Sequence, residues 1–137
     1  MAQCTGDEFY RRIAYNYERF DSIGYENIVG YAEKLYRSNL DYWLAKLKAG
    51  ILNLAEWSSS LKLPIITTEC WSVVDYKDWP LLNWEWIKEI CEFGVNEALK
   101  TNKWSAMATS NFCGPQFKGM WRDIEWHKKM TDRIHQG

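Results

Sequence analysis

Residues 7–20, DEFYRRIAYNYERF, set Phe9, Ile13, Tyr17 and Phe20 near one face of a helix, with Asp7 and Glu8 at its positive end. After a break at DSIGYEN, a second helical pattern runs from about Glu26 to Arg37. Ser38 or Asn39 is then placed to cap a third and stronger helix over residues 40–57, where Leu40, Leu44, Leu47, Ile51 and Leu54 recur at helical spacing. Gly50 weakens that helix by about 1 kcal/mol relative to Ala, which packing can offset. SSSLK reads as a short loop, and Pro64 opens a strand, PIITTEC, at a position where its missing N–H does no harm.

The polar stretch SVVDYKDWP leads into a helix over residues 82–100, with Trp84, Ile87, Cys91, Val95 and Ala98 predicted to face inward. Asn102 and Lys103 make a turn into WSAMATSNFCG, a second short apolar run that becomes polar at its end. The last helix is expected over residues 120–135. From residue 40 onward the order is helix, strand, helix, strand, helix, which predicts βαβ units and a parallel sheet. Both strands are apolar on both alternating sets, Ile65 with Ile66 and Ala106 with Met107, so each asks for cover on two faces. Two strands make a poor sheet by themselves. A closed (β/α) barrel needs eight, in about 250 residues. The expected fold is therefore α/β, a piece with two β/α units (residues 40–137) preceded by a helical segment (residues 1–39).

Composition adds one strong signal. Nine Trp, eight Tyr and five Phe in 137 residues suit a packed core, and they also suit a cleft that grips the flat apolar faces of sugar rings. Charge adds little: the formal net charge is −1 with no long basic run, which gives a nucleic-acid partner no support. Cys4, Cys70, Cys91 and Cys113 form no CxxC and no Cys/His cluster, so no metal site is expected and buried free thiols are. No cofactor is expected either. The N-terminus lacks the charged and apolar regions of a signal peptide, and no apolar run approaches a membrane span, which points to a cytoplasmic protein without a membrane partner.

Ligands of parallel α/β folds gather at the carboxyl ends of strands. Thr67, Thr68, Glu69 and Trp71 sit at one such end, and Ser110, Asn111 and Phe112 at the other. By strand alternation Ile65, Thr67 and Glu69 share a face. If that face points into a barrel, Glu69 surfaces at the mouth. The plain alternative is an ordinary solvated or loop-capping carboxylate, with Trp71 and Trp79 packing a long loop and Trp104 packing where its strand begins. His127 and His135, eight residues apart on one helix, have no third ligand in the pattern.

The run PIITTECW, then a helix, then WSAMATSNFCGPQFKGMW and a final helix resembles the C-terminal quarter of a cellulase-like (β/α)8-barrel glycoside hydrolase of the clan A type. The resemblance covers about residues 40–137 and implies a partial (β/α) barrel, about the last two β/α units, with residues 1–39 as a loop or insertion of that barrel. It implies that Glu69 is the strand-seven nucleophile of a retaining hydrolase acting on β-linked sugars, and that Trp71, Asn111 and Phe112 lie in the region of sugar contacts. It also exposes a gap, because retaining hydrolysis needs a second carboxyl group about 5 to 5.5 Å from the first. Nothing before residue 40 resembles the strand-four Asn-Glu pair that supplies it. Glu56, Glu85, Glu89 and Glu97 fall on predicted helices. The chain alone is thus expected to be inactive, to bind carbohydrate, and to self-associate or pair with the missing part of a barrel. The competing expectation is a non-catalytic, mostly helical module that binds a carbohydrate or a protein. A third is a helical interaction protein with neither property.

Overall fold

The structure, a computed structural model, describes residues 30–68, 71, 85–108 and 123–137. Residues 30–38 are helical (α1). They are followed by helix α2 (Leu40–Leu61), strand β1 (Ile65–Thr67), helix α3 (Glu85–Leu99), strand β2 (Trp104–Met107) and helix α4 (Ile124–Gln136). The described residues are mostly helical, with a two-stranded parallel sheet. The expected helix over residues 7–20 lies outside them.

Helix α2 starts where expected but not by the expected device. Asn39 is its N-cap residue, yet its side chain makes no capping bond. The Asn39 amide instead donates to the Ser38 hydroxyl at 3.2 Å, which in turn donates to the Leu35 carbonyl at 3.0 Å. The helix also runs four residues past the expected end at residue 57; two serines of SSSLK return their hydroxyls to it, while Ser58 donates to the Leu63 carbonyl beyond its end. Ser59 donates to the Ala55 carbonyl at 2.9 Å and Ser60 to the Trp57 carbonyl at 2.7 Å. It stops at Lys62, whose φ of 56° is left-handed. There the Lys62 N–H donates to the Ser59 carbonyl and the Leu63 N–H to the Ser58 carbonyl, the paired bonds of a Schellman end.

The inward stripe of α2 is Leu40, Leu44, Ile51, Ala55 and Ser58 rather than one ending on Leu54, which is exposed. At 3.6 residues per turn, 44, 51, 55 and 58 hold one line and 54 falls beside it. A second apolar line, Trp43, Leu54, Trp57 and Leu61, faces solvent.

Helix α3 is central. Ile87, Cys91, Val95 and Ala98 are all fully buried, as their spacing predicts, and Trp86 joins them. Trp84 lies outside the described residues. The core continues into Tyr36 of α1 and into Trp126 and Met130 of α4, one helical turn apart. Helix α4 begins at Ile124, inside the expected range, with Asp123 as its cap: Oδ1 accepts the Trp126 N–H at 3.1 Å. Asp123 Oδ2 accepts from Lys88 Nζ at 2.7 Å, which ties the start of α4 to α3. Cys91 is a buried thiol in no disulfide among the described residues, whereas Cys4, Cys70 and Cys113 lie outside them.

Strands β1 and β2 pair in parallel, Ile65 with Trp104, Ile66 with Ala106 and Thr67 with Met107, with an irregularity between Ile65 and Ile66 that leaves Ser105 over. The β1–α3–β2 order is the expected βαβ unit. Its cover is one-sided. Ile65 and Thr67 are half-buried, whereas Ile66 is 64% exposed and its partner Ala106 is exposed as well.

Candidate functional site: the carboxyl ends of β1 and β2

Parallel pairing fixes the geometry of the site. Both strands point the same way, so their carboxyl-terminal residues, Thr67 and Met107, lie on one side of the sheet. The ladder opens with the Ile65 N–H donating to the Lys103 carbonyl and closes with the Ala108 N–H donating to the Thr67 carbonyl, both at 2.9 Å. Thr67 and Ala108 are thus held together at the rim. Glu69 follows Thr67 by two residues and Asn111 follows Ala108 by three. Glu69, Asn111 and Phe112 lie outside the described residues.

Trp71, the fourth of the expected site residues, is described. Its half-buried ring packs on the backbone of α3 at Gly94 and stands 5.8 Å from the Trp104 ring, tilted by 56°. A Cβ on Gly94 would lie 2.5 Å from Trp71 Cγ and 2.7 Å from its Cβ. No side chain fits there, so glycine is required by close approach rather than by backbone angle. The indole N–H groups of both Trp71 and Trp104 are buried without an acceptor among the described residues. Trp104 packs at the start of its strand, as expected.

Sequence reasoning did not single out Gly94. A signal was present: a glycine inside EFGVNEA costs a helix about 1 kcal/mol against Ala, and a helix that retains one invites the question of what lies against it.

The carboxylates of α3 are committed elsewhere. Glu85 pairs with Lys88 at 2.6 Å, and Glu89 accepts from Arg37 at 2.5 Å. Glu92 accepts from the Trp126 indole at 2.7 Å and from Lys129 at 2.9 Å. Glu97 is buried and binds Lys100 and, at 3.0 Å, Lys48. The hydrogen bond from Lys100, with the help of Lys48, holds the Glu97 carboxyl below the ordinary range against the opposing effect of burial. Asp123 is likewise lowered, first by its bond from Lys88 and then by the Trp126 N–H. Burial pulls Lys88 down, but the bonds to Asp123 and Glu85 outweigh it and its pKa is raised. These are fastenings between helices.

An open groove of 410 Å³ runs along α3 between Tyr36, Leu44 and Trp126, and Glu89, Lys88 and Glu92 on its walls are the same paired groups. Among the described residues no group of three or more His, Cys, Asp or Glu could hold a metal, and no helix is long and apolar enough to cross a membrane.

Comparison with known proteins points toward sugars. The family model described as sugar-binding cellulase-like matches residues 1–135. A crystal structure from Parabacteroides distasonis, of a protein provisionally described as a glycoside hydrolase, is 49% identical and superposes with a TM-score of 0.77. That match covers 97% of this chain but 35% of the other, so the chain spans about a third of that protein's length. No curated protein matches.

Proposed function

The chain belongs to the sugar-binding cellulase-like family, and from that premise we propose that it forms two consecutive β/α units of a barrel that binds and hydrolyses β-linked sugars. In this reading Glu69 is the nucleophile at the mouth, and Asn111 and Phe112 line the sugar site. The second carboxyl group comes from polypeptide outside residues 1–137. Without it the chain binds carbohydrate and does not turn it over.

The observation that carries the proposal is the parallel adjacency of β1 and β2, joined at the rim through Thr67 and Ala108. Two further features favour a barrel. The sheet face bearing Ile66 and Ala106 is bare, and α2 presents a line of uncovered apolar side chains, with Trp57 63% exposed. Apolar surface of this kind, next to strands whose outer edges are unpaired among the described residues, suits a neighbouring strand and helix. The Parabacteroides protein has length enough to include them.

The chemistry follows from two carboxyl groups of opposite state. A Glu69 carboxylate oxygen attacks the anomeric carbon, and the glycosidic bond breaks as the second group gives its proton to the leaving oxygen. The glycosyl ester on Glu69 is then hydrolysed by water, whose proton returns to the second group, and Glu69 is released as carboxylate.

The test is a hybrid in which this chain replaces its counterpart in the Parabacteroides protein. Hydrolysis of an aryl β-glycoside should be lost in Glu69→Gln while sugar affinity persists. Undiminished hydrolysis by the Glu69→Gln hybrid refutes the assignment. The second reading, a non-catalytic sugar-binding module, is favoured by the mostly helical fold with its own core. It predicts saturable binding by a monomer and no hydrolysis in any longer protein.

A further inference from the structure

We infer that the exposed line of α2 is a docking surface for a second copy of this chain, the two helices crossing antiparallel at Gly50. The inference goes beyond the hydrolase reading and does not rest on it. In a longer barrel an adjoining helix would take the place that the second copy takes here.

Trp43, Leu47, Gly50, Leu54, Trp57 and Leu61 follow one another at intervals of four, three, four, three and four residues, the spacing of a seam between two helices. Leu47 is half-buried and the other five are exposed. Gly50 lies inside the line, and a Cβ there would meet nothing within 4 Å. At Gly94 a packed ring demands glycine; at Gly50 no neighbour within that distance does. A glycine inside a helix weakens it relative to Ala, but on a seam it lets a second backbone come close.

The line also reads alike in both directions. From Gly50 a leucine and then a tryptophan follow toward either end, and Trp43 and Trp57 are each seven residues away. A palindrome of this kind is self-complementary about a two-fold axis, as an isologous contact requires. With the axis at Gly50, Trp43 meets Trp57 of the partner subunit, Leu47 meets Leu54 of the partner subunit, and the two glycines face each other. Trp43 is already held in place, since its indole N–H donates to the Leu35 carbonyl at 3.3 Å.

Charge sets the direction. Lys46 borders the line, its Nζ 5.5 Å from the centre of the Tyr42 ring. Antiparallel helices bring it level with the uncharged Leu54 of the partner subunit, whereas parallel ones would bring it level with its own twin. The line is about 27 Å long, and two copies of it would cover about 1,000 Å² in all, the lower limit of a specific interface. A dimer of that size is weak, micromolar rather than nanomolar.

Sedimentation equilibrium of the full 137-residue chain is the first test. A monomer–dimer equilibrium is expected, with Gly50→Gln and Trp57→Glu each weakening the dimer by about tenfold or more. Gly50→Gln improves helix propensity, so a lost dimer there is not a lost fold. Leu52→Glu, on the opposite side of α2, should leave the equilibrium unchanged. Disulfide trapping gives the direction, with the parent chain oxidised alongside as the baseline. Gly50→Cys should cross-link to its twin, and Leu47→Cys should cross-link to Leu54→Cys when the two are mixed but not to itself. A chain that stays monomeric at about 100 µM overturns the inference, as does a Gly50→Cys thiol shielded from reagents in a monomer, which would mean that the chain covers its own line. A dimer that survives both Gly50→Gln and Trp57→Glu uses another face and overturns it equally.

Discussion

The buried carboxylate of Glu97 on α3 reaches Lys48 of α2 at 3.0 Å, the one ion pair among the described residues that fastens these two helices through a buried group. Its pKa is lowered by Lys100 first and by Lys48 besides. A group with a depressed folded pKa contributes stability above its unfolded value, about 4.3 for Glu, and loses that contribution as pH falls through the folded value. The chain should therefore lose melting temperature below about pH 4.3, and Glu97→Gln should lose less over that interval. At pH 7 the substitution should cost about 1 kcal/mol, a modest figure because Lys48 is half exposed and Lys100 more so. Thermal melts above and below that pH check both.

Asp123 does two things with two oxygens, capping α4 through the Trp126 N–H and binding Lys88 of α3. Asp123→Ala removes both and should destabilise by about 1 to 2 kcal/mol. Asp123→Asn keeps a capping oxygen and should cost less than Ala. Equal losses in urea unfolding would show that the cap contributes nothing.

Lys62 ends α2 in the left-handed region at φ 56°, a conformation that costs a side-chain-bearing residue about 1 kcal/mol and glycine nothing. Lys62→Gly should raise stability by up to about that amount, with the gain reduced by the greater freedom of glycine in the unfolded chain. Asn102, at φ 54°, is a residue type that tolerates this region, so Asn102→Ala should be destabilising. Urea unfolding of the two variants beside the parent chain checks both signs.

Much of this fold was legible in the sequence because periodicity is a local signal. Ile87, Cys91, Val95 and Ala98 announced the buried face of α3, and Pro64-Ile65-Ile66 announced a strand. The pairing of β1 with β2 followed from element order, since a strand, helix and strand in succession favour parallel neighbours. What the sequence hid were contacts between distant positions and alternatives of equal local plausibility. The three serines 58–60 read as a loop because serine competes for backbone partners. Here Ser59 and Ser60 bond back to the preceding turn, and Ser58 bonds forward to the Leu63 carbonyl just past the helix. Leu54 reads as core by residue type, yet the stripe turns away from it. Gly94 and Trp71 are far apart along the chain, and no window of sequence reveals that one makes room for the other. Of the rim, Thr67 and Ala108 are seen to meet, while the expectations for Glu69, Asn111 and Phe112 fall on residues outside the description.

Uncovered apolar surface should govern solution behaviour. With Trp57, Leu63 and Ile66 at 63, 60 and 64% exposure, the chain alone should self-associate at micromolar concentration, and Trp57→Glu with Ile66→Lys should reduce that association. Sedimentation showing a concentration-independent monomer would weigh against a sheet and helix face made for further barrel units.

The reading stands or falls on a nucleophilic carboxylate that follows a strand whose parallel neighbour opens beside it. The most direct measurement is covalent trapping of the hybrid with a 2-deoxy-2-fluoro β-glycoside, followed by mass spectrometry of the tryptic peptide spanning residues 63–77. The mass of one fluorosugar on that peptide, localised to Glu69, is the predicted result. A hybrid that hydrolyses β-glycosides yet carries the label on any other carboxylate contradicts it.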